Sequence, residues 1–162
     1  MDNLDKKTVQ SFGDEWSRFD QSDMTPDESE KVFKEYFSIF PWSNLTSESE
    51  GFDMGCGSGR WASFVAPKVK KLNCIDPSDA IIVAEKTLSG FSNIKFEQAS
   101  LDNTSLNKNS QDFGYSLGVL HHVPNTKSAI QSCVSYLKTG APLLLYLYYK
   151  FDNRPLWYRL LW

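Results

Sequence analysis

The residues best suited by type and spacing to do chemistry fall in three short stretches of the 162-residue chain. The first is GFDMGCGSGRW, residues 51–61, with four glycines in eleven positions, Asp53 ahead of three of them and Arg60 behind. Glycine costs roughly 0.5–1 kcal/mol relative to alanine in regular structure, so this stretch needs something only glycine allows. A tight turn from a strand into a helix meets that need. It leaves backbone N–H groups and the positive helix end free at the carboxyl edge of a parallel sheet, where open α/β folds hold their ligands. Gly55, Gly57 and Gly59 make G-x-G-x-G, whereas the dinucleotide fingerprint is G-x-G-x-x-G and its last glycine would fall on Arg60. A pyrophosphate crossing is the weaker reading.

The second stretch is NCIDPS, 73–78, with Asp76 placed 21 residues after Gly55. A carboxylate at the end of a second strand can accept from both hydroxyls of a ribose, so the geometry implies an adenosine-type ligand. The alternative is a helix cap before Pro77 and Ser78. The third stretch holds His121 and His122, the only histidines. A histidine of ordinary pKa takes up a proton near neutral pH and suits base work; alternatively the pair shapes its loop or packs on the helix that follows.

These stretches need a sheet with crossover helices to bring them together, and the pattern along the chain supplies one. TPDE, 25–28, combines a cap at Thr25, Pro26 at the first helical position and Glu28 three residues after the cap. Val32, Phe33, Tyr36, Phe37 and Phe40 continue at helical spacing, which predicts a helix ending near Pro41. Upstream, Phe12, Trp16 and Phe19 form a second aromatic cluster in a polar arm; both clusters cover the core or act as a lid. From Gly51 short apolar runs alternate with helical stretches. Strands are expected at Phe52–Met54, Leu72–Ile75, Ile94–Gln98, Phe113–Leu117 and Leu143–Tyr149, the last buried by composition. Helices are expected from Ser58 to about Val65, from Ser78 to Leu88 and from Pro124 to Lys138, with a polar loop over 100–112. The fold class is therefore α/β, with residues 1–50 as an aromatic arm and lid helix and 51–162 as the core.

Composition narrows the function. A net charge of −3 provides no basic field for a nucleic-acid backbone, and the one dense cationic run, Lys68, Lys70 and Lys71, reads as a solvated helix end or loop. Cys56, Cys74 and Cys133 are odd in number and far apart, which suggests neither a disulfide framework nor a metal site and fits a reducing cytoplasm. The longest apolar run, APLLLYLYY at 141–149, is far short of the roughly 20 residues a spanning helix needs, so membrane insertion is not expected.

DMGCGSGR, 53–60, resembles the first motif of class I S-adenosylmethionine-dependent methyltransferases, D/E-x-G-x-G-x-G, and CIDPS resembles their second-strand acidic motif. DFGYSLGVLHHVPN, 112–125, is similar to the fourth-strand motif, and LKTGAPLLLY, 137–146, to the turn into the fifth strand. The likeness runs in order from about residue 51 to 149. It implies a Rossmann-like, mostly parallel sheet with helices on both faces and S-adenosyl-L-methionine as cofactor, leaving as S-adenosyl-L-homocysteine. By the same resemblance Asp53 and the loop of Gly55, Cys56, Gly57 and Gly59 face the methionine part. Asp76 holds the ribose and Pro77 flanks the adenine. Ser100 and Leu101 fall where an acidic residue often meets the adenine amino group, and Leu117 and Gly118 line the cofactor beside the transferring methyl. Arg60 either pairs with the methionine carboxylate or stays on the surface of the next helix.

The N-P-P-Y type of fourth motif is missing, and GVLHHVPN looks like the small-molecule branch, whose acceptors are hydroxyls, amines or carboxylates. Methyl transfer is an in-line displacement that needs positioning and, for a hydroxyl or amine, a base, for which His121 and His122 are the candidates. Two departures stand out: SESEGFDM is poor in aliphatics for a first strand, and five strands are expected where the superfamily has seven. A chain with its C-terminal strands missing, or an edge strand covered by a second copy, is the corresponding expectation. KFDNRPLWYRLLW, 150–162, reads as a helix start with Asp152 or Asn153 as cap. The alternatives to an enzyme of this kind are a non-catalytic S-adenosylmethionine-binding module and, less favoured by the glycine spacing, a NAD-binding oxidoreductase.

Overall fold

The structure is a computed structural model that describes residues 3–5, 9 and 25–148. The Phe12, Trp16 and Phe19 cluster, Tyr149 and the expected C-terminal helix lie outside the described residues.

Helix α1 spans Pro26–Tyr36 and starts as its sequence dictates: Glu28 N–H donates to Thr25 Oγ1, and Thr25 N–H donates to Glu28 Oε2. It stops at Tyr36, short of Pro41, where the ladder tightens and Ser38 N–H donates to Glu35 O three residues back. Phe37 to Phe40 turn instead, with Phe40 N–H donating to Phe37 O, and both rings stay buried.

The sheet has five strands in the order β3-β2-β1-β4-β5, every pairing parallel. Strand β1 is Glu50–Met54, β2 Lys71–Asp76, β3 Ile94–Gln98, β4 Phe113–Leu117 and β5 Leu143–Tyr146. β1 is longer than its aliphatic content suggests, and the reason is visible in its neighbours. A Cβ on Gly114 would meet the Phe52 ring at 2.2 Å, and one on Gly51 would meet the Phe113 ring at 2.3 Å. The two phenylalanines therefore lie across the two glycines and replace the missing aliphatic bulk. Asn73 Nδ2 donates to Gly51 O, and Asp112 Oδ2 accepts from Glu50 N–H, pinning the strand's start.

The helix after the glycine loop is only α2, Ala62–Val65, followed by a 3-10 turn at Ala66–Lys68. Gly57 and Gly59 take φ of +54° and +84°, which no right-handed helix contains, so the expected start at Ser58 is ruled out. Helix α3 is Ala80–Thr87, and Ser78 rather than Asp79 receives its first N–H, that of Ala80. Helix α4 is Thr126–Tyr136, capped by Asn125 accepting from Ser128 N–H. It ends before Lys138 because Leu137 leaves to form a parallel bridge with Gln111.

β5 departs from expectation in burial. Only Leu144 is buried, since among the described residues the strand pairs with β4 alone and its outer side carries no partner strand. Hydrophobic clusters fill both faces of the sheet. One joins Phe33, Phe37 and Phe40 to Val65, Leu88, Phe113 and Tyr115; the other joins Phe52, Met54 and Ile75 to Leu120, Cys133 and Tyr136. Helices thus cover both faces. Among the described residues no helix is long and apolar enough to cross a membrane.

Candidate functional site

At the carboxyl ends of β1, β2 and β4 the chain opens a cavity of about 370 Å³, within the range of small-molecule sites. Its floor is the glycine loop. Gly55 N–H and Cys56 N–H both donate to Ile75 O, at 2.7 and 3.2 Å, which turns the chain back over the end of β2. Gly55 needs to be glycine twice over: its φ is +78°, and a Cβ there would sit 2.5 Å from Val119.

Asp76 is buried at the end of β2 and braces the loop. Its Oδ2 accepts from Gly57 N–H at 2.9 Å, and its Oδ1 from Ser78 N–H at 2.9 Å and Ser78 Oγ at 2.6 Å. The two sequence readings of this residue meet here, because the carboxylate organises the turn before α3 and also borders the cavity. A carboxylate has about four acceptor positions. Three are taken, and one remains for a ligand hydroxyl.

Asp53 lies beneath the loop, 1% exposed, and does not border the cavity. Its Oδ2 has no hydrogen-bond partner, and neither has the hydroxyl of neighbouring Tyr115, which is 0% exposed. Burial pushes the Asp53 carboxyl well above the usual carboxylate range and the charge of Asp76 adds to it; the Tyr115 hydroxyl is near enough to oppose the shift but makes no well-formed hydrogen bond to the carboxyl.

The remaining sequence-predicted residues divide cleanly. Cys56, Gly57, Arg60 and Pro77 border the cavity near the loop, and Ser100, Leu101, Leu117, Gly118 and His122 border it from the ends of β3 and β4. Gly59 faces away, a Cβ there meeting Leu88 of the α3 side at 2.5 Å, and His121 stands behind His122. Ser100 Oγ is buried at the cavity without a partner, a donor and acceptor left for a ligand. Arg60 is half-buried at the rim with its guanidinium 4.5 Å from the Trp61 ring centroid, and burial lowers its pKa.

The histidines do not keep the ordinary pKa expected of them. Burial lowers both, and the neighbouring His122 lowers His121 further. Their ring centroids are 3.9 Å apart, and both ring nitrogens of His121 are buried without partners. Both imidazoles are accordingly neutral at pH 7, the form a proton acceptor requires.

Sequence reasoning missed Trp61, Tyr146 and Tyr148 and placed Tyr36 only in a stripe that covers the core or acts as a lid; all four border the cavity, as do Leu4, Asp5 and Val9. Tyr36 was absorbed into the apolar stripe of α1. Tyr146 and Tyr148 had a usable signal, since residues two apart in a strand share a face, while Leu4, Asp5 and Val9 sit in a polar arm with no periodicity.

Residues 52–145 match a family described as a methyltransferase domain. No curated protein matches the sequence significantly. Among solved structures, the N-methyltransferase NodS from Bradyrhizobium japonicum WM9, in complex with S-adenosyl-L-homocysteine, is 25% identical with a TM-score of 0.72, over 85% of this chain and 71% of that one. The YcgJ protein from Bacillus subtilis is 21% identical with a TM-score of 0.62, over 68% of this chain and 49% of its own. Phosphoethanolamine N-methyltransferase 1 of Haemonchus contortus, solved with phosphoethanolamine and S-adenosylhomocysteine, is 14% identical with a TM-score of 0.63, over 79% of this chain and 29% of its own. The last two share the fold. The matched part of this chain spans about half the length of the YcgJ protein.

Proposed function

The chain belongs to the methyltransferase-domain family, and from that premise we propose that it binds S-adenosylmethionine in the cavity beside the glycine loop and moves the methyl group to a small-molecule acceptor. One observation carries the reading: the loop of Gly55, Cys56 and Gly57, left-handed at its two glycines, and the Asp76 carboxylate border one cavity whose buried Ser100 Oγ still lacks a partner. When bound, S-adenosylmethionine supplies an electrophilic methyl on a sulfonium and leaves as S-adenosylhomocysteine.

The chain's own residues do the rest. Asp76 accepts from a ribose hydroxyl with its remaining lone pair, Pro77 and Leu101 flank the adenine, and Ser100 meets the adenine's polar edge. Arg60 takes the methionine carboxylate, while Asp76 also holds the loop through Gly57 N–H. Leu117 and Gly118 set the position of the methyl, and alignment of that kind is where most of the barrier is removed in a displacement needing no covalent intermediate. His122, neutral and at the cavity, accepts the proton of a hydroxyl or amine acceptor; His121 packs against it and fixes its ring. A carboxylate acceptor needs no such base. The likeness to NodS, an N-methyltransferase solved with S-adenosyl-L-homocysteine, supports the cofactor. A cytoplasmic protein with no nucleic-acid partner, whose copies pair along the outer edge of β5, completes the reading.

Calorimetric titration of S-adenosylmethionine, S-adenosylhomocysteine and NAD into the protein tests it. Saturable binding of the two sulfur nucleotides and none of NAD is the expected result. Tight NAD binding without a response to either would overturn it.

A further inference from the structure

One part of the cavity wall is not used by the methyl-donor cradle. Tyr36 of α1, Tyr146 at the end of β5 and Tyr148 just beyond it border the cavity together with Trp61. Ring centroids lie 4.9 Å apart for Tyr36–Trp61, 4.9 Å for Tyr36–Tyr146 and 5.5 Å for Tyr146–Tyr148. Successive rings are turned by 33°, 59° and 80°, so no neighbouring pair is parallel. Among the described residues the wall is an arc of mutually tilted rings at contact distance, with no parallel pair of them to sandwich a flat ring, and it suits a compact head group.

The electrostatics point the same way. Tyrosine and tryptophan faces carry the negative side of the ring quadrupole and attract cations within about 6 Å. The Arg60 guanidinium already rests on the Trp61 face, which shows one of these rings holding a cation and leaves the three phenol rings as the arc. Asp5 and Arg60, of opposite sign, both border the cavity, as does the imidazole of His122, and the ring of His121 lies 4.5 Å from that of Tyr148. Tyr146 and Tyr148 are 39% and 61% exposed, so the core does not account for them.

We propose that this arc is the acceptor subsite and that the acceptor is an amine, whose nitrogen is held among Tyr36, Tyr146 and Tyr148. The inference rests on the methyl-transfer reading above. In the step, the amine lone pair forms the new N–C bond while the C–S bond of the sulfonium breaks and its electron pair stays on sulfur. Positive charge passes to nitrogen, and an N–H proton then leaves to the neutral imidazole of His122. The π faces attract the cation as it develops. A carboxylate acceptor, which loses charge in the same step, gains nothing from them.

The test uses the protein saturated with S-adenosylhomocysteine, titrated with tetramethylammonium chloride and with the neutral, similarly shaped 2,2-dimethylpropan-1-ol, read by NMR line shifts. The charged probe should bind at least about fivefold more tightly. Tyr148→Leu and Tyr36→Leu should each weaken it by about three- to tenfold, and Tyr148→Phe by less than about twofold, since a phenyl face keeps the quadrupole. Equal binding of the two probes, or Leu and Phe variants that behave alike, would overturn the inference. Tyr148 is largely exposed, and an unchanged S-adenosylhomocysteine affinity in its variants confirms an intact fold. Release of S-adenosylhomocysteine with phenols or carboxylates but never with amines would also overturn it. Failure of S-adenosylhomocysteine to bind at all would overturn the methyl-transfer reading and this inference with it.

Discussion

At the scale of single residues, Asp53 carries the sharpest consequence. Its carboxyl is buried, one oxygen is unpartnered, and its folded pKa lies well above the unfolded one, with burial as the main cause. A raised carboxyl pKa means the folded state binds the proton more tightly, so stability from this group falls as pH rises between the two values. Asp53→Asn removes the titration. Urea unfolding between pH 4 and 9 should show a flatter pH dependence for the variant than for the wild type, and identical slopes would contradict the buried, unpaired state of this carboxyl. The histidines run in the opposite direction. Their folded pKa values are lowered, so the unprotonated form persists below the ordinary imidazole value of about 6.5. Turnover that depends on His122 as base should fall only as pH drops through that lowered value, and His122→Gln should abolish this acid limb while leaving S-adenosylhomocysteine affinity within about threefold. A limb unmoved by the substitution would assign the proton elsewhere. None of this was readable from the chain, because a histidine next to a histidine looks the same whether its ring is in water or packed against a tyrosine.

At the scale of elements, the contact between β1 and β4 depends on glycine as a space rather than as a turn. Gly114 sits in ordinary strand conformation, and its role is to let the Phe52 ring lie across it. Gly114→Ala should destabilise the protein by about 1–3 kcal/mol through overpacking, and shortening the ring with Phe52→Leu should restore part of that loss, an interaction visible in a double-mutant cycle of thermal or urea unfolding. Additive effects would contradict the direct contact. Asp112 ties three elements at the other end of the sheet, accepting from Glu50 N–H and from Lys138 Nζ at 2.6 Å. Partial burial acts to raise its pKa, but these two donors outweigh it and the net shift is downward. The stabilisation this gives is present above the unfolded carboxylate value and is lost as pH falls through the lower folded value. Asp112→Ala should therefore cost on the order of 1 kcal/mol at pH 7 and progressively less toward pH 3. A cost that is independent of pH would point to packing alone.

For the whole molecule, the sequence was most legible where local chemistry and global topology agree. The capping box at Thr25 started α1 as written, and the spacing from Gly55 to Asp76 identified two strand ends that the parallel sheet does bring to one cavity. Boundaries failed where tertiary structure overrides local preference. The helix after the loop is short because Gly57 and Gly59 are used in left-handed geometry, and α4 gives up its last turn to a bridge at Leu137. The aromatic arc was the least legible feature, since Tyr36, Tyr146 and Tyr148 come from opposite ends of the chain and look like core residues one at a time.

On the proposed reading the glycine loop and Asp76 make one nucleoside site. That reading is tested most directly by calorimetric titration of S-adenosylhomocysteine into wild type, Asp76→Ala and Ser78→Ala. Ser78→Ala removes the hydroxyl that Asp76 accepts from but leaves the carboxylate at the cavity. Asp76→Ala should weaken binding by about ten- to a hundredfold, the range expected for loss of a charge-assisted hydrogen bond, and Ser78→Ala should stay within about threefold of wild type. Equal and small effects of both substitutions would contradict it, because Asp76 would then serve only the turn before α3.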